Sequence, residues 1–146
     1  MDKQYLLAPG PTPVPPEVLQ RMAEPIIHHR APAYEKILGE VREGLKYLFQ
    51  TKKEVLIFAS SGTGAMEGAV TNTLSAGDKA IVIEGGKFGE RWANICKAYG
   101  VKAQILPVEW GQPIDPALIA QALQADPSVK AVFTQATETS TGVLYP

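Results

Sequence analysis

The sequence predicts an α/β domain with a mainly parallel sheet and helices on both of its faces. Two observations support this fold class. Short apolar runs alternate with segments of helical periodicity, and the repeat of roughly 25 residues fits a strand followed by a crossover helix. Hydrophobic residues form 45% of the 146-residue chain, which is an ordinary share for one globular domain with a buried core.

The N-terminal segment is predicted to be an extended arm followed by one short helix. The opening stretch MDKQYLLAPGPTPVP contains four prolines, each of which fixes φ and removes a backbone donor. A helix is expected from Pro16 to about Ala23, because proline is favoured in the first helical turn, and Pro25 interrupts it. We therefore divide the chain into residues 1–32, the arm and short helix, and residues 33–146, the first and incomplete part of a larger domain.

Residues 33–50 predict a surface helix with one buried face. Four apolar residues recur there every three or four positions, and charged residues fill the gaps between them. The apolar positions are Ile37, Val41, Leu45 and Leu48. This helix precedes the alternating part of the chain.

The alternating part predicts four strands with a helix after each of the first three. The predicted strands are Val55 to Ala59, Ala80 to Ile83, Ala103 to Leu106 and Lys130 to Thr134. The predicted helices lie near 64–75, 87–99 and 116–125.

Residues at the predicted helix ends support these assignments. Asp115 suits an N-cap and Pro116 suits the first turn of the third of these helices. Gly77 and Gly100 follow the other two and are predicted to be their C-caps.

The composition argues against several classes of partner. The chain has 14 basic and 15 acidic residues without a basic cluster, so nucleic acid is not expected to bind. No stretch approaches the length of a transmembrane helix, and the single Cys96 cannot form an internal disulfide. His28 and His29 are adjacent and cannot both face one metal ion from a regular element. We expect a cytoplasmic protein with no membrane contact and no metal site.

The turn SSGTGAMEGA, which follows the first predicted strand, is a candidate phosphate site. Helix N-termini carry partial positive charge and suit anions. Gly62 and Gly64 allow close backbone approach, and Ser60, Ser61 and Thr63 add hydroxyl groups. Strand-to-helix turns also favour glycine and serine for conformational reasons alone.

A dinucleotide is one candidate ligand for this turn. GTGAMEG has the form Gly-x-Gly-x-x-x-Gly, and Glu84 follows about 20 residues later, where an acid would contact a ribose. The third glycine is one residue late for the usual spacing. An NAD(P)-binding Rossmann oxidoreductase is therefore an alternative function.

Several motifs in series resemble the class V family of pyridoxal-phosphate-dependent aminotransferases, which have fold type I. SSGTGAMEGA, EGGKFGERW and ATETSTGV carry the resemblance, and LLAPGPTPVPPEVL and HHRAPAYEKILGEVREGLKYLFQT extend it. They look most like the alanine–glyoxylate and serine–pyruvate aminotransferase branch, in order and in spacing. The resemblance covers essentially the whole chain.

The resemblance implies a set of residues that contact pyridoxal 5'-phosphate. Thr63, Gly64 and Ala65 match the turn that binds the cofactor phosphate in the family. Phe88 matches an aromatic residue that stacks on the pyridine ring, and Thr139 matches a hydroxyl residue beside that ring. These residues would make the chain the first part of the large cofactor-binding domain.

The resemblance also implies a function. Gly10 matches a segment that lines the substrate side of the pocket. The intact enzyme would transfer an amino group from a small amino acid, alanine or serine, to a 2-oxo acid, glyoxylate or pyruvate, and would be a homodimer. The Schiff-base lysine lies beyond ETSTG in the family, so we expect no catalytic residue here and no catalysis by this chain alone. A separate chain with the missing C-terminal portion, or a non-catalytic subunit that retains the fold, are further possibilities.

Overall fold

The computed structural model describes residues 5–146, which fall into two compact units. The first unit ends at Phe58, and the second runs from Ala59 to Pro146. The first unit contains helix α1, Pro16–Met22, and helix α2, Pro32–Leu48. Both begin with proline, as expected from its preset φ. Residues 5–15 contain neither helix nor strand, and the short helix predicted after them is present as α1. The division of the chain at residue 32 stays a prediction.

The predicted buried face of α2 is wrong for this structure. The helix contains no buried residue, and Ile37 and Val41 are 45% and 43% exposed. Besides α2, the described residues of the first unit form only one seven-residue helix and irregular segments. These cover too little apolar surface to bury a 17-residue helix.

The predicted strand from Val55 to Ala59 is also wrong. The residues have no strand partner among those described, and Leu56, Ile57 and Phe58 are 70%, 59% and 66% exposed. An apolar run becomes a strand only when a neighbouring backbone accepts and donates its ladder hydrogen bonds. Sequence periodicity does not report whether such a neighbour exists.

The second unit contains the predicted parallel sheet. Its strands are β1, Lys79–Glu84, β2, Lys102–Pro107, and β3, Val129–Phe133. Its helices are α3, Gly62–Thr73, α4, Lys87–Ala98, and α5, Pro116–Ala125. The strand order is β2-β1-β3 and both pairings are parallel. The three remaining predicted strands are confirmed to within one residue at each end.

Both faces of the sheet are covered, as predicted. Ala80 and Val82 of β1 pack in a cluster with side chains from α3 and α4, including Val70 and Trp92. Ile81, which points to the opposite face, packs in a second cluster on the α5 side. The alternation has the period of two that a strand imposes. All four residues from position 80 to 83 are fully buried, so β1 is the centre of the unit.

The helix ends agree with the sequence in two of three cases. The Asp115 carboxylate accepts the Ala117 N–H at 2.9 Å, which confirms the N-cap of α5. Gly100 follows α4 with φ of +70°, as a C-terminal glycine does. Gly77 is not a C-cap, because α3 ends at Thr73. Instead it has φ of +88° and donates its N–H to Gly100 O at 2.8 Å in the turn before β1.

A short hairpin follows the sheet and was not predicted. Strand β4, Thr137–Glu138, pairs with β5, Val143–Leu144, in antiparallel fashion. Glu138 O accepts the Gly142 N–H at 2.9 Å and closes the turn between them. Two-residue strands are too short to show an alternating pattern in the sequence. The hairpin holds the loop that contains Thr139.

Candidate functional site

The predicted site residues of the second unit lie on three segments. Thr63, Gly64 and Ala65 form part of the first turn of α3. Phe88 is the second residue of α4, which starts directly after the carboxyl end of β1. Thr139 lies in the β4–β5 turn that follows β3. Ligands in α/β sheets bind beyond the carboxyl ends of the strands, where the last two segments are found.

The first turn of α3 has the properties of an anion site. Ser61 is its N-cap and accepts the Thr63 N–H at 3.3 Å, and no acidic residue lies in the first turn. A Cβ at Gly64 would lie 2.2 Å from Ser60 Oγ and 2.7 Å from Ser60 Cβ, so only glycine fits there. The partial positive charge of the helix end therefore meets hydroxyl groups rather than a carboxylate.

The first turn of α4 is occupied by a carboxylate of the chain itself. Glu138 is fully buried, and its Oε2 accepts the Phe88 N–H at 3.2 Å and the Gly89 N–H at 3.1 Å. Its Oε1 accepts the Ser140 hydroxyl at 2.6 Å. A negative group is favourable at this position of a helix. Of these two helix N-termini, that of α3 is thus the one without a carboxylate.

Hydrogen bonds keep Glu138 charged despite its burial. Burial alone would raise the pKa of Glu138, but the hydrogen bonds from the Ser140 hydroxyl and from the N–H groups of Gly89 and Phe88 outweigh it and hold that pKa below its usual value. Burial, together with the nearby charge of Glu138, raises the pKa of Tyr145. The group at the α4 terminus is therefore a carboxylate at neutral pH.

Arg91 connects the two helices of the site. Its Nη1 donates to Thr63 Oγ1 at 2.9 Å, and its guanidinium carbon lies 4.9 Å from the centre of the Phe88 ring. The second distance is within the range of a cation–π contact. Arg91 therefore places a positive charge between the predicted phosphate-binding turn and the predicted stacking residue.

The structure brings the three predicted segments into one connected series. Thr63 contacts Arg91, Arg91 contacts Phe88, and the Phe88 N–H binds Glu138, the residue before Thr139. Thr63 and Phe88 are half-buried, whereas Ala65 and Thr139 are exposed. Their roles in cofactor binding stay predictions.

Gly10 belongs to the other unit. It is exposed, and a Cβ at this position would meet nothing within 4 Å. The predicted contact of Gly10 with substrate stays a prediction. In residues 5–146, no helix is long and apolar enough to cross a membrane, and no group of three His, Cys, Asp or Glu residues could hold a metal ion.

Sequence reasoning missed two residues of this series, Arg91 and Glu138. Arg91 follows Phe88 by three positions on a predicted helix, so the spacing could have indicated that their side chains meet. Glu138 gave no such signal, because its burial depends on residues about 50 positions earlier in the chain. A charged residue in a polar loop is normally exposed.

The model of the aminotransferase class V family matches residues 4–146. The chain belongs to the class V aminotransferase family. Aminotransferases of this family depend in general on pyridoxal phosphate. This assignment confirms the predicted resemblance and favours a pyridoxal-phosphate site over the dinucleotide alternative.

Individual relatives agree with the assignment over the whole chain. The soluble hydrogenase 42 kDa subunit of Anabaena cylindrica is 47% identical over 98% of this chain and 38% of its own length. The serine–glyoxylate aminotransferase of Hyphomicrobium methylovorum is 39% identical over 95% of this chain and 35% of its own length. The crystal structure of alanine–glyoxylate aminotransferase from Nostoc sp. has a TM-score of 0.89 and 28% identity over 100% of this chain and 39% of its own. The chain thus spans less than two fifths of these relatives, and the predicted partial fold type I domain is confirmed.

Proposed function

We propose that this chain forms the phosphate-binding and ring-binding part of a pyridoxal phosphate site in an aminotransferase. The main support for this proposal is the connected series of contacts from Thr63 through Arg91 and Phe88 to Glu138. The series joins three groups: a helix N-terminus with no carboxylate in its first turn, the guanidinium of Arg91 and the aromatic ring of Phe88. A phosphate group, its charge and a flat heterocycle require these three kinds of contact.

The residues present fit this cofactor. The Gly64 position has no room for a Cβ, and the hydroxyl groups of Ser61 and Thr63 lie at the positive end of α3, so this turn would hold the phosphate. Phe88 would cover one face of the ring, and Thr139 would donate to its edge. When bound, pyridoxal phosphate supplies the electron sink that amino-group transfer needs. The chain's own part is to bind and orient it.

We infer that the reaction is transfer of an amino group from a small amino acid, alanine or serine, to a 2-oxo acid, glyoxylate or pyruvate. Two of the relatives support this substrate class, because one is named for serine and glyoxylate and the other for alanine and glyoxylate. The name of the Anabaena cylindrica relative describes a different activity. The proposal rests on the family and on the contacts of the second unit.

We further propose that no lysine of residues 5–146 carries the covalent link to the cofactor. Lys79 pairs with Asp126 at 2.6 Å, near the start of β1 and away from its carboxyl end. Lys87 pairs with Glu90 at 2.7 Å and lies 5.2 Å from the Trp110 ring. The chain alone would then not catalyse the transfer. A homodimer, a cytoplasmic location and a separate C-terminal chain stay predictions.

A matched pair of glycine substitutions tests the phosphate site. In the protein that carries this chain, Gly64→Ala should weaken pyridoxal phosphate binding by about tenfold, because the added Cβ would push Ser60 into the turn. Gly68→Ala, four residues later in α3 and with nothing within 4 Å of its Cβ, should bind as the unaltered protein does. Absorbance titration measures both constants. Equal affinity of the two variants would mean that the site is misplaced.

The reaction and the lysine are tested on the same preparation. Glyoxylate with L-serine or L-alanine should yield glycine. Borohydride reduction followed by peptide mapping should place the pyridoxyl group on no lysine of residues 5–146. A labelled lysine in this range would refute the proposal that no lysine of residues 5–146 carries the cofactor. If no free glycine is formed from glyoxylate, the proposed substrate class is refuted.

A further inference from the structure

Glu138 is the most completely buried charged group of the described residues, and the proposed function gives its side chain no contact with the cofactor. Its exposed fraction is 0%, and it is the one charged residue in the buried set of the described residues. It accepts hydrogen bonds from the N–H groups of Phe88, Gly89 and Ser140, from the Ser140 hydroxyl and from the Gln135 amide. All five partners are donors, so only a carboxylate, which accepts at both oxygens, satisfies them together.

These hydrogen bonds join two segments that are about 50 residues apart in sequence. One segment is the first turn of α4, which carries Phe88. The other is the β4–β5 turn, which carries Thr139. Ser140 reinforces the joint, because its hydroxyl also accepts the Lys87 N–H at 3.0 Å. The two segments cannot shift against each other without breaking several charge-assisted hydrogen bonds.

The glycine backbone before α4 approaches the Glu138 carboxylate closely. A Cβ at Gly86 would lie 2.5 Å from Glu138 Cδ and from Ser140 Oγ, and one at Gly85 would lie 2.2 Å from Tyr145 Oη. The glycine pair therefore lets α4 start directly against the hairpin. The close packing fixes the distance between the two turns.

We propose that Glu138 is a positioning residue that fixes the Phe88 turn against the Thr139 turn, so that both side chains meet the cofactor ring in one arrangement. This inference rests on the proposed function. Glu138 does not touch the cofactor; it acts through the two residues that do. The hydrogen bonds of this carboxylate go to α4 and to residues 135 and 140, whereas the proposed phosphate-binding turn of α3 is capped by Ser61.

The proposal separates ring binding from phosphate binding, and two probes measure them independently. Pyridoxal phosphate needs the ring contacts and the phosphate turn, whereas inorganic phosphate, assayed as a competitor, needs only the turn of α3. Glu138→Gln keeps the size of the side chain but places an amide NH₂ among donors. Glu90→Gln is the matched control, because Glu90 lies on the same helix and its carboxylate pairs with Lys87 rather than with the hairpin.

In the protein that carries this chain, Glu138→Gln should weaken pyridoxal phosphate binding by about tenfold and leave the inhibition constant of inorganic phosphate unchanged. The circular dichroism band of the bound cofactor should change as well, because the ring is held differently. Glu90→Gln should change none of the three. Unaltered pyridoxal phosphate binding in Glu138→Gln, or an equal loss for both probes, would overturn the proposal, since an equal loss indicates a general structural role.

If Glu138→Gln does not fold, the variant Ser140→Ala tests the same proposal. This variant removes one donor to the carboxylate at 2.6 Å and should weaken pyridoxal phosphate binding by about threefold, again without effect on inorganic phosphate. No loss, or an equal loss for both probes, would overturn the proposal. The titration of the unaltered protein tests the proposed function separately. If that protein does not bind pyridoxal phosphate, the proposed function itself is refuted.

Discussion

The Arg91 side chain contacts both Thr63 and Phe88. We predict that Arg91→Met weakens pyridoxal phosphate binding by about threefold to tenfold, because a charge-assisted hydrogen bond and a cation–π contact are lost. The stem of methionine retains most of the packing volume. Isothermal titration calorimetry measures the change. Lys97→Met, which removes an exposed cation from the last turn of the same helix, is the control and should leave affinity unchanged.

Salt provides a second measurement on the Arg91 variant. At about 1 M salt the Debye length is about 3 Å, so the attraction between an exposed guanidinium and a phosphate is screened. Affinity of the unaltered protein should fall toward that of Arg91→Met, whose own affinity should change less. A variant with the same salt dependence as the unaltered protein would show that Arg91 contributes no charge to the site.

At the residue scale, the sequence predicts contacts that are local and misses those that depend on packing. Gly64 is predictable because a helix start with glycine and hydroxyl residues is a local pattern. Glu138 is not, because its carboxylate is buried by the Gly86 backbone, and nothing near Glu138 in the sequence reports that approach. Most of the proposed cofactor contacts therefore follow from motifs, whereas the proposed positioning residue is recognised only in the three-dimensional structure.

At the element scale, two ion pairs join the regions where β1 and β3 begin. They lie at the amino ends of these strands, whereas the candidate site lies at the carboxyl ends. Lys79 pairs with Asp126 at 2.6 Å, and Lys130 pairs with Asp78 at 2.7 Å. Each pair crosses from one strand start to the other. The hydrogen bond from Lys79, followed by those from Ser128, lowers the pKa of Asp126 from 3.8 to about 2.

The lowered pKa predicts an acid-dependent loss of stability. A group whose pKa is lower in the folded state stabilises that state above its unfolded pKa and loses this effect as pH falls through the folded pKa. The contribution of Asp126 should therefore be complete above pH 3.8 and decline toward about pH 2. The difference in urea midpoint between the unaltered chain and Asp126→Asn should be constant near neutral pH and shrink in this window. A difference that does not vary with pH would contradict the prediction.

The elements themselves were predictable where pairing and periodicity agree. β1 is an apolar run with a neighbour on each side, and it appears where the sequence places it. Residues 55–58 are equally apolar, but they pair with no strand in the part of the chain that the structure describes, and they form no strand themselves. The difference is not in the residues; it lies in whether a partner strand is present.

At the scale of the whole molecule, the two units differ in how much apolar surface they bury. Neither α1 nor α2 contains a buried residue, whereas residues 80–83 of β1 are 0% exposed. A 17-residue helix that contains no fully buried residue gains little stability from tertiary packing, and isolated helices of this length are marginal in water. Local stability should therefore be concentrated in the second unit.

Hydrogen exchange on the 146-residue chain tests this difference. Amides of α2 should exchange on the order of 100-fold faster than those of β1, because opening of α2 exposes little additional apolar surface, whereas opening of β1 requires both core clusters to separate. Amides of α4, which packs on β1 through Trp92 and Cys96, should be protected like the strand and serve as the internal control for a helix. Protection of α2 equal to that of α4 would show that its apolar face is covered in solution, as the periodicity of Ile37, Val41, Leu45 and Leu48 predicts.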